Sequence, residues 1–175
     1  MKKGLLLLLN GFEDTEALST RAFLKKNFLD ITTFTTDISL KVFSSQNLIV
    51  QADLHIDRID DLFLSDYDFL IIPGGPYVKK ILNEKPFYLN KIYEIIKYFS
   101  QNKKVIGAIC AAPAFLGQLN LLQNHSFTCY PGCESYIKGN YLPNERAVTS
   151  DFFITSRSPE TIFEFVDHLL KKLKK

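Results

Sequence analysis

The chain has 175 residues, of which 46% are hydrophobic and 23% charged, and its formal net charge is +2. This balance is typical of a globular protein, and the length predicts a single domain over residues 1–175. The small net charge and the lack of any apolar run near ~18 residues argue against nucleic-acid and membrane partners.

Five consecutive leucines near the start form the first predicted strand, Leu5–Leu9. This run is shorter than the ~7–15 apolar residues of a secretory signal, and no small-residue cleavage site follows it. Because the chain has three cysteines, an odd number, and no export signal, we expect free thiols and a cytoplasmic location.

Short apolar runs alternate with amphipathic stretches along the rest of the chain. Further strands are predicted at 31–36, 66–72, 104–109, 147–150 and 152–155, with a hairpin of 40–43 and 48–50 at the sheet edge. Helices are predicted at 15–27, 89–101, 111–119 and 159–173. This alternation predicts an α/β fold, with a mostly parallel sheet and helices on both faces.

Cys110 directly follows the predicted strand 104–109 and is followed by Ala111 and Ala112. A strand that ends in a nucleophile and turns at once into a helix of small residues is typical of a nucleophile elbow, often with a strained backbone. The start of a helix is expected to lower the pKa of the Cys110 thiol below its usual value of about 8.5. The alternative is that Cys110 is simply a small buried hydrophobic residue.

Two other segments come directly after strands. Residues 11–16 follow the first strand, and Pro73-Gly74-Gly75 follow the strand at 66–72. Open parallel sheets bind ligands outside the carboxyl ends of their strands, so these segments and Cys110 are expected to share one crevice.

Each group in this crevice has an expected role. Glu16 is expected to exchange a proton with the Cys110 thiol, and the backbone N–H groups of Gly74, Gly75 and Ala111 to bind a reacting oxygen. The alternatives are an ordinary turn at the glycine pair and a solvated carboxylate at the start of a helix. The coincidence of all three features favours an active site.

Five motifs are distributed along the chain: Gly11-Phe12-Glu13-Asp14-Thr15-Glu16, Pro73-Gly74-Gly75, Ala108-Ile109-Cys110-Ala111-Ala112-Pro113, Thr128-Cys129-Tyr130-Pro131-Gly132 and Thr155-Ser156-Arg157-Ser158-Pro159. As a set they resemble the ThiJ/PfpI superfamily, in the branch of the Parkinsonism-associated protein deglycase and its bacterial relatives. The resemblance implies a flavodoxin-like three-layer sandwich and a homodimer. It also implies a cysteine on an elbow, Cys110 by position, hydrogen-bonded to a protonated glutamate, Glu16.

The chain departs from this family pattern at two positions. Protease-like members have a histidine after the cysteine, where this chain has Ala111, so a Cys-His peptidase is disfavoured. A deglycase-type member has a histidine where this chain has Tyr130, and tyrosine is a poor base near neutral pH. We therefore expect Glu16 to carry more of the proton transfer and Tyr130 to contact substrate. Arg157 is expected to bind an anionic substrate group or an oxidised cysteine, the alternative being a surface ion pair.

No metal site or cofactor is predicted. His125, Cys129 and Cys133 are spaced four apart, but Tyr130-Pro131-Gly132 interrupts any helix through them and a fourth ligand is missing. Gly74-Gly75 lacks the third glycine of a dinucleotide fingerprint. Cys129 and Cys133 are instead expected near the rim of the active site or at the dimer surface.

Two functions are consistent with these residues. The first is a glyoxalase-III-like or deglycase-like enzyme, whose cysteine attacks a small aldehyde or dicarbonyl, or a glycated adduct. The second is a non-enzymatic redox sensor or chaperone-like stress protein, in which Cys110 is oxidised. Both use Cys110 and Glu16, so the sequence alone does not separate them.

Overall fold

A computed structural model of the chain describes residues 1–174, which contain eleven strands. In chain order they are β1 (Lys3–Leu7), β2 (Asp30–Thr35), β3 (Lys41–Phe43), β4 (Ile49–Gln51), β5 (Leu54–His55), β6 (Phe69–Ile72), β7 (Val105–Ile109), β8 (Ser126–Phe127), β9 (Asn140–Tyr141), β10 (Ala147–Ser150) and β11 (Phe153–Ser156). Seven form one sheet in the order β10-β11-β7-β6-β1-β2-β5, in which β10 is antiparallel to β11 and all other neighbours are parallel.

The α-helices of the described residues are α1 (Thr20–Lys26), α2 (Asp61–Ser65), α3 (Tyr77–Glu84), α4 (Tyr88–Gln101), α5 (Pro113–Gln118) and α6 (Ile162–Leu173). A π-helical turn, Thr15–Ser19, precedes α1, and 3₁₀ turns lie at Ile56–Arg58, Glu134–Tyr136 and Pro159–Thr161. The chain runs from β1 through α1 to β2, and from β6 through α3 and α4 to β7, in opposite directions along the sheet. Because such crossovers are right-handed, these helices cover opposite faces. The mostly parallel, flavodoxin-like α/β fold is confirmed.

The central strands are short and almost completely apolar. Every residue of β6 and β7 is buried, as expected for parallel strands covered on both faces. Gly107 in β7 leaves room for α6, because a side chain there would lie about 3.0 Å from Phe165 and Ile71. No helix within residues 1–174 combines the length and the apolar composition needed to cross a bilayer.

The predicted hairpin forms, but not at the edge of the main sheet. β3 and β4 pair only with each other and lie over the loop that follows β1. The N–H of Gly11 donates to the carbonyl of Phe43 at 2.7 Å, and the Asp14 carboxylate accepts the Ser44 hydroxyl at 2.6 Å. The hairpin therefore stabilises residues 11–16, the segment that leads into the π-helical turn.

Candidate active site

Three loops meet where the sheet reverses its winding. β1 and β6 are neighbours, yet the chain leaves them in opposite directions, which opens a crevice outside their carboxyl ends. Glu16 follows β1, Gly74 and Gly75 follow β6, and Cys110 follows β7. The structure thus brings together the three segments that the sequence placed at one edge.

Cys110 lies on a strained turn between β7 and α5. Its φ is +63°, a left-handed conformation that costs a non-glycine residue about 1–3 kcal/mol. The backbone holds this conformation from both sides, since the N–H of Cys110 donates to Ser156 at 2.8 Å and its carbonyl accepts from Tyr130 at 2.8 Å. The residue is 8% exposed and contributes to the lining of a cavity. This geometry agrees with the expected elbow.

Glu16 lies in the π-helical turn, and its side chain is completely buried. One carboxylate oxygen, Oε2, accepts the N–H of Gly74 at 2.6 Å. The other, Oε1, has no hydrogen-bond partner among the described residues, and the carboxyl group as a whole interacts with the thiol of Cys110. Burial, reinforced by the nearby charge of Glu13, raises the pKa of Glu16 to about 8. Glu16 therefore holds a proton over most of its population at neutral pH.

The pKa of the Cys110 thiol is also raised, and burial is the main cause. The charge of Glu16 and its hydrogen bond with the thiol raise it further, while the N–H of Ala111 lowers it. This is the opposite of the lowered pKa expected from the sequence. The reason is that α5 is only six residues long and starts at Pro113, so its dipole is weak beside the loss of solvent.

Cys110 and Glu16 titrate as a pair because they share one buried space. The pair loses its first proton near pH 8, the pKa to which Glu16 is raised. At pH 7 about a tenth of the molecules then carry one negative charge on the pair. That charged form has a base beside a thiol, so it is suited to nucleophilic attack close to neutral pH.

The two glycines, Gly74 and Gly75, have different roles in the site. Gly74 lies between the reactive groups, since a Cβ on it would lie 2.8 Å from Cβ of Cys110 and 2.9 Å from Oε2 of Glu16. The sequence predicted that the N–H of Gly74 helps to bind a reacting oxygen. In the structure this N–H donates to Glu16 instead, so the prediction is wrong for Gly74. Gly75, with φ of +132°, lines the cavity, and its N–H has no acceptor among the described residues. A Cβ on Gly75 would collide with the carbonyl oxygen of Gly11.

The cavity beside the thiol has a volume of about 330 Å³. Its lining consists of Glu13, Gly75, Pro76, Lys79, Cys110, Ala111, Tyr130, Cys133 and Pro159. Tyr130 is 48% exposed and forms part of the rim. Arg157 lies outside this lining and donates to the carbonyl of Pro143 at 3.3 Å, so the structure does not bring it to the thiol.

Sequence reasoning did not identify three residues around this cavity. Lys79 contributes a cation to the lining from α3, a helix that was not predicted. Tyr77, also on α3, donates its hydroxyl to the carbonyl of Pro73 at 2.6 Å and so stabilises the turn before the glycine pair. Glu13 accepts the N–H of Glu16 at 2.7 Å. For α3 a signal exists in the helical spacing of Tyr77, Val78, Ile81 and Leu82.

Comparison with known proteins places these features in a family. The profile of the DJ-1/PfpI family matches residues 2–172. The chain is 26% identical, over 93% of its length, to Protein DJ-1 homolog B of Arabidopsis thaliana. It is 33% identical, over 66% of its length, to Glutathione-independent glyoxalase DJR-1.2 of Caenorhabditis elegans. The chain spans only 36% and 62% of the length of these two relatives.

A solved structure shows the same fold. Toxoplasma gondii DJ-1 superposes with a TM-score of 0.86 at 24% sequence identity. The match covers 99% of this chain and 91% of that one. The shared architecture therefore extends over both the central sheet and the loops that carry Glu16, Gly75 and Cys110.

Proposed function

The chain belongs to the DJ-1/PfpI family, and from this membership and the site geometry we propose that it is a cysteine-dependent, cofactor-free enzyme that converts small dicarbonyls into 2-hydroxy acids. The same chemistry on glycated adducts would be deglycase-like. One observation carries the proposal: a strained thiol interacts with a buried carboxyl group whose pKa is about 8, beside the N–H of Gly75, which has no acceptor among the described residues. The name of the Caenorhabditis elegans relative supports this reaction class.

The first step joins the thiol to an aldehyde such as that of methylglyoxal. The sulfur of Cys110 attacks the aldehyde carbon while the carboxylate form of Glu16 takes up the thiol proton. The carbonyl oxygen becomes an oxyanion, which the N–H groups of Gly75 and Ala111 stabilise. Glu16 then returns its proton to that oxygen, which gives a neutral hemithioacetal.

The second step moves a proton between the two substrate carbons. Glu16 takes the hydrogen of the hemithioacetal carbon as a proton, while the hydroxyl proton of that carbon passes to the neighbouring ketone oxygen. Glu16 then delivers its proton to the former ketone carbon, which leaves a thioester on Cys110 beside a 2-hydroxyl group. Water then breaks the carbon–sulfur bond, releasing a 2-hydroxy acid and regenerating the thiol. In sum, one dicarbonyl and one water give one 2-hydroxy acid, and no external redox cofactor is consumed.

The test is turnover of methylglyoxal to lactate by purified wild type, Cys110→Ser and Cys129→Ser. Cys129 is the matched control, because it is fully buried yet lies outside the cavity lining. We expect Cys110→Ser to lose turnover by about 10³-fold or more, since serine is a far weaker nucleophile at this pH. Cys129→Ser should keep it. Full turnover by Cys110→Ser would remove the proposal.

A redox-sensing role is the second candidate, and one feature of the site favours it. The carboxyl group of Glu16 interacts with the Cys110 thiol, and its Oε1 has no hydrogen-bond partner among the described residues. In its protonated form, this carboxyl group would donate to an oxygen atom added to the Cys110 sulfur. Mass spectrometry after mild peroxide treatment tests this role. Robust turnover without any selective two-oxygen adduct on Cys110 would count against it.

A further inference from the structure

A second thiol lies at the same cavity as Cys110. All three cysteines are free, and two of them, Cys110 and Cys133, contribute to the lining of the 330 Å³ cavity. Cys133 is 1% exposed, so its small accessible surface is directed at this space. Cys129 is fully buried elsewhere in the core. The proposed reaction uses Cys110 and assigns no role to Cys133.

Two backbone hydrogen bonds connect Cys133 to the elbow. The N–H of Tyr130 donates to the carbonyl of Cys110 at 2.8 Å, and the N–H of Cys133 donates to the carbonyl of Tyr130 at 2.9 Å. The turn at 130–133 is thus attached at its first residue to the backbone of the reactive cysteine. Pro131 and Gly132, in the middle of this turn, are exposed, so no packed side chain stands over them.

A cation lies near the Cys133 thiol. The pKa of Cys133 is raised, chiefly by burial and also by the charge of Glu134, while the ammonium group of Lys79, which lines the same cavity, acts in the opposite direction. The two thiols also interact with each other, since a charge on Cys133 raises the pKa of Cys110. Cys133 therefore shares the surroundings of the reactive cysteine, and Lys79 offsets part of the cost of a charge on it.

We propose that Cys133 is a resolving thiol, which captures a peroxide-oxidised Cys110 as an intramolecular Cys110–Cys133 disulfide. The inference rests on the reactive Cys110 of the proposed function but not on dicarbonyl turnover. It predicts a reversible oxidised state in place of a sulfinate on Cys110. The oxidant is a hydroperoxide, and the reductant that restores the pair is a dithiol.

Disulfide formation takes two balanced steps. The Cys110 sulfur attacks one oxygen of hydrogen peroxide, the O–O bond breaks, and the thiol becomes a sulfenic acid with release of one water. The Cys133 sulfur then attacks the Cys110 sulfur, the S–O bond breaks, and the leaving hydroxide takes the Cys133 proton to form a second water. Two thiols and one peroxide therefore give one disulfide and two waters.

The sulfenic acid on Cys110 can react either with Cys133 or with a second peroxide, and the local concentration of each determines which reaction is faster. The fold holds both thiols at one cavity, which gives Cys133 an effective concentration at Cys110 on the order of millimolar or more. When peroxide is supplied at micromolar concentration, the tethered Cys133 should react with the sulfenic acid before another peroxide does. A disulfide needs its Cα atoms about 4.4–6.8 Å apart, so we expect the turn at 130–133 to move toward Cys110 as the bond forms.

The test treats the full chain with one equivalent of hydrogen peroxide and measures intact mass and non-reducing peptide maps. Wild type should lose the mass of two hydrogen atoms, yield a linked peptide pair containing Cys110 and Cys133, and return to its original mass with dithiothreitol. Cys133→Ser should instead gain one or two oxygen atoms on Cys110. Cys129→Ser, the control, should behave as wild type, and Cys110→Ser should form no such link.

Several results would overturn the inference. These are oxygen addition to wild type at the same rate as to Cys133→Ser, a link from Cys110 to Cys129, and a link that forms only between two molecules. An unreactive Cys110 in all variants would do so too. If Cys133→Ser does not fold, Cys133→Ala replaces it in the comparison, and the wild-type peptide map still shows whether the Cys110–Cys133 link forms. A wild type that forms the disulfide but does not turn over methylglyoxal would keep this inference and remove the proposed function.

Discussion

A cavity larger than that of the proposed active site also opens at the carboxyl edge of the sheet, and the two differ in how their polar groups are paired. This larger cavity, about 440 Å³, lies between the loop after β2, the end of β5 and the start of α4. Its polar groups are paired or exposed: Lys91 bonds to Asp57 at 3.0 Å, Nε2 of His55 lies 3.1 Å from the carbonyl of Thr36, and Glu94 is exposed. Asp57 is largely open to solvent.

The smaller cavity holds groups that the fold leaves unsatisfied. A buried carboxyl oxygen of Glu16 lacks a well-aligned partner, Cys110 has a positive φ, and Gly75 has an N–H without an acceptor among the described residues. Strain and unpaired polar groups cost stability, so a fold retains them where they serve a function. Positive φ also occurs at other non-glycine residues, and Thr20 carries another unpaired buried oxygen. The coincidence of these features with a thiol, and not volume, therefore identifies the reactive crevice.

The first prediction tests whether only the smaller cavity takes part in catalysis, by changing one carboxyl group at each cavity to an amide. Glu16→Gln preserves shape but cannot take up a proton, so methylglyoxal turnover should fall by about 10²–10⁴-fold. Asp57→Asn in the larger cavity should leave turnover within about twofold of wild type, because Asp57 is exposed and its charge is screened by solvent and salt. Lactate formation under saturating substrate measures both.

The pH profile gives this first prediction an internal check. Since Glu16 has a pKa of about 8, wild-type turnover should rise about tenfold per pH unit below that value and level off above it. Whatever activity Glu16→Gln retains should lack this rise. Equal losses in the Glu16 and Asp57 variants would show that the larger cavity also takes part in the chemistry.

The second prediction concerns the backbone wall of the smaller cavity. Gly75→Ala should lower the free energy of unfolding by about 2–4 kcal/mol, because its Cβ would collide with the carbonyl of Gly11 and its φ is strained. Gly132→Ala is the matched control. Its φ of +90° is also unfavourable, but the nearest atom to the added Cβ is Nζ of Lys79 at 4.0 Å. Urea unfolding measures both, and equal losses would mean that conformation alone, not the close approach, matters at Gly75.

The third prediction uses the sign of the pKa shift. The folded-state pKa of Glu16 is raised from 4.5 to about 8, so the folded state binds more protons than the unfolded state between these values. Its contribution to stability is complete below about pH 4.5 and is lost as pH rises through about 8. The slope reaches about 1.4 kcal/mol per pH unit.

Urea unfolding of wild type and Glu16→Gln from pH 5 to 8 checks this slope. The difference between their free energies of unfolding should change steadily, with wild type losing stability relative to the variant as pH rises. Asp57 should contribute no trend over this range, because its hydrogen bond with Lys91 lowers its pKa below the usual value of 3.8, so it is ionised throughout. A pH-independent difference between wild type and Glu16→Gln would show that Glu16 is charged throughout.

The sequence predicted the central sheet and the main site residues for the same reason. The strands at β1, β6 and β7 are apolar runs that end abruptly, and the residues directly after a parallel strand must lie at its carboxyl edge. Cys110 and Glu16 were therefore found from position alone. The helix α3 was missed because it starts directly after a turn rich in proline and glycine, residues that predict a loop rather than the start of an apolar helical face.

Properties that depend on burial and on long-range contacts could not be predicted from the sequence. The short length of α5 and the loss of solvent around Cys110 together reverse the expected direction of its pKa, and no local pattern reports either. The role of Gly74 depends on which acceptor its N–H contacts. That acceptor is Glu16, which lies 58 residues away in the chain. The homodimer and the cytoplasmic location stay predictions.

The smallest expected effect concerns a hydroxyl group at the rim of each cavity. Tyr130 is attached to Cys110 through its backbone N–H, which phenylalanine retains, and its exposed ring has solvent as an alternative partner. Tyr130→Phe should therefore change turnover by less than about threefold, as phenol is a poor base near neutral pH. Tyr88→Phe, at the larger cavity, is the matched control and should have no effect. A tenfold loss with Tyr130→Phe alone would mean that its hydroxyl, and not only Glu16, moves a proton, because no other feature of the elbow changes in this variant.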